Sequence, residues 1–224
     1  MKRIPEAEEL MDLPHQALAY ARADFTGPNT IFVDIFAAKF PSFNGGKILD
    51  LGCGPADITM RFAWRYPQAK VLGLDGAAAM LDIARKVIAS DPSLAGRVNV
   101  GHWHIGIDPN PPGAERFDAV VSNSLLHHMR DPLGLWRAIR ACAAPGAPVL
   151  VMDLFRPQSR AEAEEIVAKY AGQEPEILRR DFLTSLLAAY RPAEILEQLK
   201  SVKLDSLRIE VATDRHLIVS GLAG

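Results

Sequence analysis

Between residues 47 and 154 the chain alternates short, continuously apolar runs with longer amphipathic stretches, and this pattern narrows the fold more than any other feature. Lys47–Leu51, Lys70–Leu74, Val98–His102, Phe117–Ser122 and Val149–Leu154 read as strands. Their apolar positions run together instead of alternating, as expected of strands covered on both faces. Between them, Ala56–Tyr66, Ala77–Ser90 and a stretch from about Pro132 to Ala143 read as helices. Ile58, Phe62 and Tyr66 recur at helical spacing in the first; Met80, Ala84, Val87 and Ile88 are expected inward in the second. Strand–helix alternation implies right-handed crossovers and a parallel sheet with helices on both faces, an α/β fold.

The flanks differ. Residues 14–22 and 28–40 read as helices, the second with Ile31, Phe32, Ile35, Phe36 and Phe40 on one face. Pro41 and Asn44-Gly45-Gly46 close that stretch. Towards the other end, Ser159-x-x-Glu162 is a capping box opening a polar helix. A further helical stretch covers about 177–200 with a break near Arg191-Pro192. Segments 203–211 and 215–221 read as an antiparallel hairpin turned at Thr213-Asp214. No linker separates these parts. The expectation is one domain over 1–224: a helical cap (1–44), a ligand-binding core (45–155), then helices and the hairpin (156–224).

Composition excludes several classes. Of 224 residues, 49% are apolar, enough for a sizeable core. The net charge of −2 offers no basic field for a nucleic acid backbone. The two cysteines, Cys53 and Cys142, form neither a disulfide framework nor a zinc pattern and suit a reducing, cytoplasmic setting. Met1–Glu9 carries basic residues without an apolar run behind them, so it does not read as a secretory signal, and no stretch reaches the ~20 apolar residues of a membrane span. A homodimer is compatible with all of this.

The chemistry concentrates in Ile48-Leu49-Asp50-Leu51-Gly52-Cys53-Gly54-Pro55-Ala56-Asp57, where a strand runs through a glycine-rich turn into a helix. In an open parallel sheet, ligands occupy the crevice at the carboxyl ends of the strands. Glycines let a backbone approach a ligand closely. A plain β–α turn would use glycines for their φ angles alone. The dinucleotide fingerprint needs a third glycine where Asp57 stands, and a phosphate-binding loop needs a lysine that is missing. Asp50 precedes the glycines; a carboxylate there repels a pyrophosphate and attracts a cation.

Asp50-Leu51-Gly52-Cys53-Gly54 resembles motif I of the class I methyltransferases that use S-adenosylmethionine (SAM), and Val71-Leu72-Gly73-Leu74-Asp75 resembles their motif II. Phe117–Met129 is similar to the motif IV segment of small-molecule members of the quinone-biosynthesis type, and Ala144-Pro145-Gly146 before the fifth strand matches as well. The resemblance covers roughly residues 45–155. It implies SAM as cofactor and a Rossmann-like seven-stranded sheet in the order 3-2-1-4-5-7-6, strand 7 antiparallel. It places the cofactor against Asp50, Gly52, Cys53, Gly54, Asp75, Gly76, Met80, His102, Trp103, Ser122 and Asn123, with Asp75 as the ribose acid. The chain departs from the family at Ala56, usually a third glycine, and at His102, usually an acid facing adenine. A Pro-rich stretch, Asp108–Pro112, follows.

Methyl transfer from a sulfonium needs placement and exclusion of water, and a base only if the acceptor must lose a proton. His127, His128 and Asp153, near the ends of the fourth and fifth strands, are the candidate catalytic groups; loop shaping, helix capping and substrate orientation are the competing roles. No metal is expected: adjacent histidines chelate poorly, and His102 and His104 lack a third ligand. Tyr20, Phe25, Tyr190 and Arg191 are candidates for covering the site. Ser122-Asn123-Ser124-Leu125 lacks the Asn/Asp-Pro-Pro-aromatic signature of enzymes that methylate base nitrogens. A small, partly apolar acceptor is expected, with a protein or RNA acceptor, a non-catalytic SAM-fold protein and a dinucleotide oxidoreductase as the alternatives.

Overall fold

A computed structural model describes residues 1–108 and 116–224. Helices α1 (Pro14–Arg22) and α2 (Thr26–Lys39) precede β1 (Lys47–Leu51), α3 (Asp57–Arg65), β2 (Lys70–Asp75), α4 (Ala78–Ala89) and β3 (Val98–His102). Then come β4 (Ala119–Asn123), α5 (Leu133–Cys142), β5 (Pro148–Leu154), α6 (Arg160–Ala171), α7 (Glu176–Ala188), α8 (Pro192–Ser201), β6 (Arg208–Val211) and β7 (His216–Leu222).

The strands form one sheet in the order β3-β2-β1-β4-β5-β7-β6. β1 pairs in parallel with β2 and β4, opposing Asp50 to Gly73 and to Val121. β7 runs antiparallel between β5 and β6, so the expected order and the reversed strand are both present. The chain reverses neighbour order at β1, where β2 lies on one side and β4 on the other. Such a switch point opens a crevice at the strands' carboxyl ends.

The two sheet faces bury separate cores. On one, Phe32, Phe36, Phe62 and Tyr66 pack edge-to-face or stacked behind Ile48 and Leu150. On the other, Leu49, Leu51 and Val151 meet Trp136, whose indole N–H donates to Gln198 Oε1 at 2.8 Å. This satisfied polar tip lets so large a ring lie fully buried.

Several local expectations shift. Ile31 and Val87 are exposed, because α2 buries Asn29, Phe32, Val33 and Phe36 and α4 buries Met80, Leu81 and Ala84. Phe117 makes only an isolated bridge, to Ala143, so β4 begins at Ala119. β6 is shorter than 203–211, since Leu204 and Leu207 turn back on the end of α8 to enter the core. Ser159 Oγ does cap α6, accepting from Glu162 N–H at 3.2 Å, but Glu162 accepts from Gln158 N–H instead of from the cap residue. Residues 109–112 of the Pro-rich stretch lie outside the described residues.

Candidate functional site

A cavity of about 440 Å³ opens at the carboxyl ends of β1, β2 and β4. The loop after β1 forms its floor. Gly52 and Cys53 donate their N–H groups to Leu74 O at 2.8 and 3.1 Å, tying the turn to β2. Gly52 has φ +72°, and a Cβ there would meet the Leu125 side chain at 2.8 Å, so neither the backbone nor the space admits a larger residue. Gly54 has φ +52° and lines the cavity, and a Cβ there would meet nothing within 4 Å. Ala56, standing where the family has a third glycine, holds φ +72° as the cap of α3. A left-handed alanine carries roughly 1–2 kcal/mol of strain. The fold tolerates it because Ala56 is completely buried and its N–H donates to Cys53 O at 2.9 Å.

Three of the carboxylates on this cavity come from the β1–α3–β2 unit: Asp50, Asp57 and Asp75. Asp50 is 1% exposed and accepts from Thr59 Oγ1 at 2.6 Å; burial, helped by Asp75 and Asp57, pushes its pKa up to about 7. Asp75 accepts from Gly54 N–H and Ala77 N–H, both at 2.8 Å, yet burial still raises its pKa. Asp57 accepts from Arg61 Nε at 2.8 Å and Asn29 Nδ2 at 2.6 Å. Asn29 Oδ1 in turn accepts from Asn123 Nδ2 at 3.3 Å, which leaves Asn123 Oδ1 buried without a partner among the described residues.

Of the residues expected to hold a cofactor, Asp50, Gly52, Cys53, Gly54, Asp75, Gly76, Met80, Trp103 and Asn123 line the cavity. Two do not. His102 is exposed and is not part of the lining; its Nε2 lies 3.0 Å from Gly76 O. Ser122 is fully buried, its Oγ donating to Leu51 O at 2.8 Å, a tie between β4 and β1. His104 and Ile105 stand on the wall beside Trp103, beyond the end of β3, where the sequence reading had stopped at the strand.

The histidine pair divides. His127 is buried, and its Nδ1–H donates to Asp153 Oδ1 at 2.6 Å. Burial opposes the imidazolium, but Asp153 more than offsets it and the pKa is raised. Asp153 also accepts from Leu126 N–H at 2.6 Å and Leu154 N–H at 2.7 Å. This unit braces the loop after β4 behind the cavity wall. His128 reaches the wall itself, with its Nδ1 2.6 Å from Glu6 Oε2. Glu6 Oε1 accepts from Ser185 Oγ of α7 at 2.8 Å. Despite the opposing effect of burial, the bonds and charge of His128 hold the Glu6 pKa at about 2.

Glu6 was not foreseen, and nothing local marks it: it lies 122 residues from His128 in the chain. It belongs to a strap, residues 1–13, laid across the ends of β4 and α7. Arg3 Nη2 donates to His127 O and Met129 O, both at 3.0 Å, and its guanidinium sits 4.0 Å over the Tyr190 ring. Ile4 N–H donates to Leu187 O at 3.0 Å, and Arg130 Nη2 to Ala7 O at 2.6 Å. Further on, Leu10, Met11 and Tyr20 pack against Ala77 and Met80. Tyr20 and Phe25, 4.8 Å apart, line the cavity, whereas Tyr190 donates to Met129 O of the loop after β4 at 2.8 Å and lies under the Arg3 guanidinium of the strap.

An open sheet of this order, with a glycine loop after β1 and an acid ending β2, defines the Rossmann-like methyltransferase class. Residues 49–149 match the family model described as a methyltransferase domain. The chain is 27% identical over 143 residues to a trans-aconitate 2-methyltransferase of Afipia carboxidovorans, covering 64% of this chain and 51% of that one. To the enzyme of the same name from Rhodopseudomonas palustris (strain HaA2) it is 38% identical over 96 residues, 43% of this chain and 34% of that one. The matched stretches thus span about half or less of those curated relatives. Among solved structures, a SAM-dependent methyltransferase from Aquifex aeolicus superposes with a TM-score of 0.66 at 14% identity, over 95% of this chain and 99% of that one. The plantazolicin methyltransferase BpumL, in complex with a triazolic desmethylPZN analogue and S-adenosylhomocysteine, does so with 0.70 at 12% identity, over 94% and 92%. At those identities the structures speak to the fold.

Proposed function

We propose that this chain transfers the methyl group of SAM to a small, partly apolar acceptor that is not a polycarboxylate. The observation that carries the reading is the carboxylate cluster on the cavity. Asp50 and Asp75 are both raised by burial, and with Asp57 they repel one another. A ligand bearing positive charge relieves that repulsion and restores the ionised forms. SAM carries both an ammonium and a sulfonium. The unpartnered Asn123 Oδ1 and the open space over Gly54 fit the same ligand. Bound there, SAM supplies a methyl carbon on a cationic sulfur; the chain's own part is to hold it, place the acceptor and keep water out.

Asp50 and Asp75 would hold the cationic and ribose parts, Gly52–Gly54 would admit the ligand to the backbone, and Met80, Trp103 and Ile105 would flank its apolar face. The strap and Tyr20 would close over it.

The acceptor class follows from charge. The names of the relatives point to trans-aconitate, a tricarboxylate that would need free cations. The two arginines on the wall are engaged: Arg61 with Asp57 and Thr30, Arg130 with the strap carbonyl of Ala7. Five acids line the same cavity: Glu9, Asp50, Asp57, Asp75 and Asp131. Residues 109–115 contain no lysine or arginine. A neutral or cationic acceptor suits this field. The two buried free cysteines suit a reducing, cytoplasmic setting, and among the described residues no helix is long and apolar enough to cross a membrane.

Calorimetric titration with SAM, S-adenosylhomocysteine and NAD tests the cofactor reading. Binding of the two adenosyl compounds without NAD is expected. Binding of NAD instead would overturn it.

A further inference from the structure

We infer that His128, held by Glu6 of the strap, is a general base for the acceptor, and therefore that the acceptor is one that loses a proton: a phenol-like hydroxyl, a ring N–H or a thiol, and not a carboxylate. This rests on the methyl-transfer reading above.

The geometry is that of an oriented imidazole. Glu6 is only an acceptor when ionised, so the 2.6 Å contact places a proton on His128 Nδ1, and in the neutral ring the lone pair is then on Nε2. Nε2 has no hydrogen-bond partner among the described residues, and His128 faces the cavity beside Asp75, Asn123 and Leu125. Glu6 is itself held from the other side by Ser185, so the imidazole cannot swing freely. A carboxylate behind an imidazole that faces a reacting group both sets its tautomer and stabilises the imidazolium that forms. His127 has the same chemistry with Asp153, but it is sealed from the cavity; it braces the loop.

Glu6, His127 and His128 also bring donor atoms within 4.8 Å of one another. The Arg3 guanidinium, anchored on His127 O, disfavours a cation there. Both Nδ1 atoms already serve carboxylates. The arrangement is therefore assigned to proton transfer.

The step balances as follows. His128 Nε2 takes the acceptor's proton while the acceptor's lone pair forms the bond to the incoming methyl carbon. The pair from the broken carbon–sulfur bond stays on sulfur, leaving a neutral thioether, and the imidazolium rests against Glu6 until its proton passes to water. A carboxylate acceptor is already deprotonated near neutral pH and needs none of this.

The charged and titratable groups that face His128 are Glu6 and Arg3 from the strap, His127 with Asp153 behind it, Asp75 from β2 and Arg130 from its own loop. None but Glu6 touches its ring nitrogens.

The experiment uses the full chain with SAM and four probe acceptors: 4-nitrophenol, imidazole, benzoate and trans-aconitate. SAM binding by calorimetry is measured alongside turnover. Turnover is expected for the phenol or the imidazole. His128→Asn should then lower kcat by roughly 10²–10⁴-fold, with SAM affinity unmoved and the thermal midpoint lowered by the loss of the Glu6 contact. Glu6→Gln should lower kcat less and distort the acidic limb of the kcat–pH profile, and Glu6→Asp should recover part of the loss. The inference is overturned if only the carboxylates are methylated, if none of the four turns over while SAM binds, or if His128→Asn leaves kcat intact. It is overturned equally if Glu6→Gln acts on KM alone. Failure to bind SAM at all strikes the methyl-transfer reading instead, so the two failures are distinguishable.

Discussion

The cavity has two halves built in different ways. The half around the glycine loop is made by neighbours in sequence: within 28 residues, Asp50, the loop, Asp57 and Asp75 bring their own backbone partners, such as Gly54 and Ala77 for Asp75. The half around His128 is assembled from three distant places: the strap, the loop after β4 and α7. The first half is a site that a strand–turn–helix unit carries with it. The second exists only once the whole chain has closed. Changes to the first should therefore act on cofactor binding, and changes to the second on turnover.

The sharpest way to break this contrast is at Gly54. Its position admits no side chain that avoids the ligand space, so Gly54→Leu should abolish measurable SAM binding. The φ of +52° adds about 1–2 kcal/mol of backbone strain, which a lowered thermal midpoint would register while the chain stays folded. Unchanged SAM affinity in that variant would remove the cavity floor as the binding site.

Next in size is Asp50. An acid whose folded pKa lies above its unfolded one holds more protons when folded, so its presence costs stability as pH rises from about 4 to about 7, and the cost is full above that. Asp50→Asn should stabilise the free protein by up to about 4 kcal/mol at pH 8 and by almost nothing at pH 4. The Thr59 hydroxyl still finds an acceptor. The same variant should bind SAM more weakly, since the carboxylate lies where positive charge is wanted. A stability difference from wild type that is the same at both pH values would mean that Asp50 ionises without cost, which its burial argues against.

How much of this was legible in sequence follows the same division. The glycine loop and the acids at 50 and 75 could be read because period and motif are local, whereas the order of the seven strands was implied by the family resemblance and is the order the sheet has. His102 sits at the end of β3 and reaches Gly76 O, while Trp103 and His104, beyond the strand, line the cavity, so the residues that face the crevice depend on the loop after the strand and not on a period. Ser122 reads as a crevice residue from its place at the end of β4, but its hydroxyl is taken by Leu51 O. Glu6 was invisible: an acidic residue in a charged stretch looks like solvated surface until the fold brings His128 to it. Likewise, Arg191 beside the break before α8 caught the eye, while the residue that pins the strap is Arg3.

A third test concerns the acid of β2. Asp75→Ala removes the expected ribose contacts and also frees Gly54 N–H and Ala77 N–H. SAM affinity should fall by about 1.5–3 kcal/mol, the usual worth of hydrogen bonds to a charged group. Asp75→Asn should fall between wild type and alanine, because its amide oxygen can still receive one loop N–H. Affinity unaltered in both would mean that the carboxylate serves only the loop.

The smallest expected effect is the most informative about the second half. Arg3 donates to His127 O, Met129 O and Ala188 O and covers the Tyr190 ring, so one side chain ties the strap to both the histidine loop and the end of α7. Lysine keeps the charge but cannot fork to several carbonyls. Arg3→Lys should cost about 1 kcal/mol of stability, a fall of a few degrees in the thermal midpoint. Because Glu6 lies three residues on, the loosened strap should also lower kcat, in the same direction as Glu6→Gln and by less. SAM affinity, set by the loop and the β2 acid, should barely move. If instead SAM affinity falls in Arg3→Lys as far as it does in Asp75→Ala, the strap is part of the cofactor site as well. The cavity would then be one cooperative unit, and the division into a local and an assembled half would fail.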